Sequence, residues 1–90
     1  MLSLRDCLDF IDLDQETVDI IAEHQHLSEV VATELGNQLV ANRVGLLVIH
    51  DMHRDLIAQA ANRGRLSRER ELRKIYERFC RKYPMPHGQL

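Results

Sequence analysis

Apolar side chains recur three and four residues apart along most of the chain, and this spacing predicts helices. The clearest stripe lies in the last third of the sequence and comprises Leu72, Ile75, Tyr76, Phe79 and Tyr83. Such a period places the apolar residues on one side of an α-helix. Glycine and proline are scarce within the long periodic segments, and the alternation typical of strands is weak. The sequence therefore predicts an all-α protein.

Capping and breaking residues divide the chain into about five helices in a small bundle. Ser3, Asp14, Ser28 and Ser67 can each cap a helix, and Gly64 is suited to a left-handed helix end. The predicted helices are about 3–11, 14–26, 28–41, 44–63 and 67–83, of which the fourth and fifth are the longest. Whether 14–41 is one helix or two stays open. With 90 residues, the chain suffices for one domain, at 1–83, followed by a flexible tail at 84–90.

Charge is distributed unevenly along the chain, although the net charge is only −2. Residues 1–42 carry one cation, Arg5, against nine carboxylates, whereas residues 43–90 carry eleven cations against five carboxylates. The two halves therefore have net charges of −8 and +6. This polarity favours contact between the acidic and basic halves, within one chain or between chains.

The run 44–49 is apolar on both sides of its predicted helix, and this pattern indicates self-association. A helix that is apolar all round is normally surrounded by protein. A 90-residue chain with 4% aromatic residues has little material to surround it. We therefore expect a homodimer or higher oligomer, with an interface formed by Leu46, Leu47, Ile49, His50, His53 and Leu56.

Two short motifs suggest an alternative function, the binding of a divalent transition metal. Glu23 and His26 are three residues apart on a predicted helix, and His50 and His53 share this spacing. Carboxylate oxygens and imidazole nitrogens are common metal ligands. If the four side chains converged within or between subunits, they would form a metal site. The other interpretation is a solvated acidic face and a core or interface histidine bonded to a carboxylate or a backbone carbonyl, or a pH-sensitive contact.

The last predicted helix and the turn before it are strongly basic, which suggests a second alternative. Residues 63–82 could follow nucleic-acid phosphates, but the acidic first half would repel them. We therefore expect neutralisation by the acidic half, or an acidic protein partner, rather than nucleic acid. The basic residues are Arg63, Arg65, Arg68, Arg70, Arg73, Lys74, Arg78, Arg81 and Lys82.

Sequence patterns typical of enzymes and membrane proteins are missing. There is no CxxC pair, glycine-rich phosphate loop or GxSxG motif, and Cys7 and Cys80 lie near opposite ends of the chain. The longest apolar run has six residues, whereas a bilayer span needs about 20. The N-terminus also lacks the pattern of a signal peptide. We expect a cytoplasmic, non-enzymatic interaction or regulatory protein without a cofactor or membrane partner.

Overall fold

A computed structural model describes residues 13–86, and the regular elements in this range are all α-helices. They are α1 (Gln15–Gln25), α2 (Glu29–Val40), α3 (Arg43–Asn62) and α4 (Leu66–Lys82). The all-α prediction is confirmed, but the described residues hold four helices rather than five. The helix predicted at 3–11 and the end of the predicted tail, 87–90, lie outside the described residues. Within the described range, no helix is long and apolar enough to cross a membrane.

Residues 14–41 form two helices rather than one, which answers the question that the sequence left open. His26 takes a left-handed conformation, with φ 57° and ψ 48°, which histidine tolerates better than most residues. Ser28 then caps α2, as predicted, by accepting a hydrogen bond of 3.3 Å from the Val31 amide. Asp14 occupies the predicted cap position of α1, but its side chain makes no capping hydrogen bond.

A turn of two residues joins α2 to α3 and brings their backbones into very close contact. The Asn42 side chain caps α3 by accepting a 2.8 Å hydrogen bond from the Gly45 amide. A Cβ atom at Gly45 would collide with the backbone of Leu39. Only glycine therefore fits here without moving the turn.

The turn between α3 and α4 contains Gly64 and ends α3 as predicted, but α4 begins without the predicted cap. Gly64 is left-handed, with φ 70°. The Gly64 and Arg65 amides bond to the carbonyls of Ala61 and Ala60, at 3.1 and 2.9 Å, which is the Schellman pattern. Arg65, not Ser67, is the N-cap of α4, and no side chain caps this end. The prediction of a Ser67 cap is wrong because the Schellman turn leads directly into the helix.

The core lies between the apolar sides of all four helices. On α4, the predicted stripe is confirmed, with Leu72, Ile75 and Phe79 buried and Tyr76 and Tyr83 packed against them. On α2, Ala32 and Gly36 are the buried residues, whereas Val31 is 46% exposed. The small residues allow close packing, since the Leu13 and Ile21 side chains fill the space beside Gly36.

Candidate functional site

His50 lies in the core at 0% relative exposure and connects α3 to the end of α4. Its Nε2 atom is 2.9 Å from the backbone oxygen of Tyr83, and its Nδ1 atom is 2.9 Å from the Tyr76 hydroxyl. A carbonyl can only accept, so Nε2 donates, and Nδ1 of the neutral ring accepts from the hydroxyl. Burial lowers the pKa of His50, which agrees with a neutral ring. The interpretation of a core histidine bonded to a backbone carbonyl holds for this residue.

His53 is also buried in the core, one turn further along α3. Its ring stacks on Tyr76, with 5.2 Å between ring centroids, and packs against Phe79 at 4.8 Å. Nε2 lies 3.4 Å from the Thr17 hydroxyl of α1. Nδ1 has no hydrogen-bond partner among the described residues. An unsatisfied buried nitrogen of this kind costs about 1–3 kcal/mol.

Burial determines the protonation state of His53. Burial and, to a smaller extent, the nearby His50 lower the pKa to about 4, whereas Glu16 opposes the shift. The ring is therefore neutral at pH 7. A neutral, stacked and enclosed imidazole packs the helices together.

The four predicted metal ligands are not brought together within one chain. Glu23 bonds to Arg68 at 2.6 Å, and His26 is exposed at the end of α1. His50 and His53 lie in the core among aromatic rings. No group of three or more His, Cys, Asp or Glu side chains in residues 13–86 is arranged to hold a metal ion.

Ion pairs between α1 and α4 join the acidic half of the chain to the basic half. Arg78 holds Glu16 through two hydrogen bonds of 2.6 and 2.8 Å, and this contact lowers the pKa of Glu16. The other pairs are Arg68–Glu23 at 2.6 Å and Lys82–Asp14 at 3.2 Å. The two halves of opposite charge therefore meet within one chain.

Further ion pairs within α4 neutralise more of the predicted basic patch. Arg73 pairs with Glu69 at 2.7 Å, and Arg81 pairs with Glu77 at 2.9 Å, both at the i,i+4 spacing. Arg68 also bonds to Glu71. The cations of the patch without an ion pair among the described residues are Arg63, Arg65, Arg70 and Lys74.

A small cavity opens at the α3–α4 turn, beside this patch. Its volume is about 50 Å³, and three arginines are among the residues that line it, Arg63, Arg65 and Arg68. Glu23 and the apolar residues Leu56 and Leu72 complete much of the wall. Sequence reasoning grouped these arginines with the rest of the basic patch and missed the cavity. The available signal was their position on either side of the turn predicted at Gly64.

The residues predicted to form a subunit interface divide between the core and the surface. Ile49, His50, His53 and Leu56 are buried in the core of this chain, and Leu46 and Leu47 are half-buried. The opposite side of α3 remains open, with Val44 66% and Val48 37% exposed.

The chain matches no protein-family model, no curated protein and no solved structure with which it was compared.

Proposed function

We propose that this chain is a small, non-catalytic interaction protein that acts as a homodimer through the exposed side of α3. The observation that carries the proposal is that Val44 and Val48 stay 66% and 37% exposed while the other side of the helix is buried. Leu47 lies between them and is half-buried. We name these three residues the α3 apolar face. Exposed apolar patches at the start of a helix are typical of protein interfaces.

The charges beside the α3 apolar face favour a second copy of the chain as its partner. Arg43, Asp51 and the α3 apolar face lie within an arc of about 140° on the helix. A two-fold antiparallel pairing of α3 helices, centred near Leu47, would bring Arg43 close to the partner's Asp51. Two-fold interfaces are self-complementary in this way. Arg43 is exposed and forms no ion pair with the described residues of its own chain, whereas Asp51 is paired with Arg54 of its own chain.

The surroundings of the two core histidines support a non-catalytic role. His50 and His53 are sealed in the core, where their rings contact Tyr76 and Phe79. General acid–base catalysis needs a group that can reach its substrate. The ion pairs of α4 also reduce the charge that would attract a nucleic acid.

A double substitution, Val44→Asp with Val48→Asp, tests the proposal. We expect the unaltered chain to elute at twice 10.5 kDa in size-exclusion chromatography with light scattering at micromolar concentration. The variant should elute as a monomer, because dimerisation would bury four carboxylates without partners. Its circular dichroism should stay helical, since both positions are exposed.

Leu66→Asp is the matched control. Leu66 is also an exposed apolar residue, at 63%, but it lies at the start of α4 and away from the α3 apolar face. This variant should remain dimeric. A monomeric unaltered chain, or equal dissociation by both variants, would contradict the proposal.

A further inference from the structure

We propose that the cavity at the α3–α4 turn is a binding site for a phosphate group, held by Arg63, Arg65 and Arg68. All three residues line one cavity of about 50 Å³. A single buried water needs about 10–15 Å³, so the cavity has room for part of a compact oxyanion. Guanidinium groups recognise phosphate through paired, charge-assisted hydrogen bonds.

Two of the three guanidinium groups are available to a ligand. Arg63 and Arg65 are exposed and form no ion pair with the described residues. Their positions are fixed by the Schellman turn around Gly64, whose amide bonds to Ala61 at 3.1 Å. The turn therefore holds two uncompensated cations beside one opening.

Arg68 is the third cation, and it is already partly neutralised. Its guanidinium bonds to Glu23 at 2.6 Å and to Glu71. Glu23 itself lines the cavity, so its carboxylate competes with an incoming anion for Arg68. This competition predicts that removing the Glu23 charge strengthens phosphate binding.

The size of the cavity and the ion pairs of α4 favour a single phosphate group over a long polyanion as the ligand. Most of the basic residues further along α4 are engaged by carboxylates, as in Arg73–Glu69, Arg78–Glu16 and Arg81–Glu77, whereas Arg70 and Lys74 form no ion pair among the described residues. A nucleic acid lying along α4 would have to displace these partners. A phosphate monoester or inorganic phosphate needs only the cavity.

Titration with inorganic phosphate, followed by NMR of the amide and arginine Nε–H signals at constant ionic strength, tests this site. We expect saturating shifts at Arg63, Arg65 and Arg68, with an affinity about tenfold lower in the variant Arg63→Gln/Arg65→Gln. Arg70→Gln removes a cation that does not line the cavity and should leave the affinity unchanged. Glu23→Gln should bind phosphate more tightly than the unaltered chain.

Parallel titrations distinguish the sources of the phosphate group. A phosphate monoester such as phosphoserine should shift the same signals, whereas chloride at equal ionic strength should not. Shifts that do not saturate, or that chloride reproduces, would overturn the proposal. Binding of a single-stranded oligonucleotide would also overturn the proposal if two results were found together. The oligonucleotide would bind more tightly than phosphate, and its affinity would fall equally in Arg70→Gln and in Arg63→Gln/Arg65→Gln. The NMR shifts measure binding at the cavity, so the test can succeed or fail independently of whether the chain dimerises.

Discussion

At the residue scale, a histidine that stays neutral in the core makes stability depend on pH. Burial lowers the pKa of His53 to about 4, whereas an unfolded histidine titrates near 6.5. Between these values the unfolded chain binds a proton that the folded chain does not. The contribution of His53 to stability is therefore complete above about pH 6.5 and is lost as the pH falls towards 4.

Replacing His53 by leucine should remove this dependence. We expect the free energy of unfolding to fall less steeply in His53→Leu than in the unaltered chain between pH 7 and 4, by up to about 3 kcal/mol over the range. Urea unfolding at several pH values and one protein concentration measures the difference. Glu16 and His50, the charged and titratable neighbours that affect His53, are present in both proteins. Parallel pH profiles would contradict the assignment.

The sequence indicated His53 as an interface residue or a metal ligand, but it could not identify the contacts. Its position on α3 follows from helical spacing alone. The stacking on Tyr76 and Phe79 and the approach to Thr17 depend on how three helices pack. For the same reason, the sequence could not show that Glu23 lies beside Arg68 rather than beside a histidine.

At the scale of the helices, local signals predicted most of the helix ends. The Ser28 cap and the Gly64 turn are set by neighbouring backbone atoms, so their residues were sufficient to locate them. Two features depended on tertiary packing instead. Val31 lies outside the core because the small side of α2, at Ala32 and Gly36, packs inwards. The close contact at Gly45 arises from the direction in which α3 leaves the turn.

A pair of glycine substitutions tests this account of the α2–α3 turn. Gly45→Ala should destabilise the protein by about 2 kcal/mol or more, because the new methyl group would collide with the Leu39 backbone. Gly36→Ala should cost less, since its methyl group meets flexible side chains of Leu13 and Ile21 and alanine favours the helix by up to about 1 kcal/mol. Chemical unfolding of both variants gives the comparison. A smaller loss for Gly45→Ala than for Gly36→Ala would contradict it.

At the scale of the whole molecule, the charge asymmetry has a structural explanation. The acidic α1 lies against the basic α4, and Arg78–Glu16, Arg68–Glu23 and Lys82–Asp14 join them. The sequence predicted that the two halves meet but could not distinguish contact within a chain from contact between chains. Because these pairs form within one chain, they do not require a second subunit. The case for a dimer therefore rests on the α3 apolar face and on the charges of Arg43 and Asp51 beside it.

The most direct test of the proposed dimer is the mass of two charge variants in solution, measured by light scattering at micromolar concentration. Arg43→Asp should shift the chain from a dimer towards the 10.5 kDa monomer, because it places a carboxylate near the partner's Asp51. Adding Asp51→Arg should restore the dimer, since each new charge again meets its opposite. If neither variant changes the mass, or if the double variant remains monomeric, antiparallel pairing through α3 is contradicted.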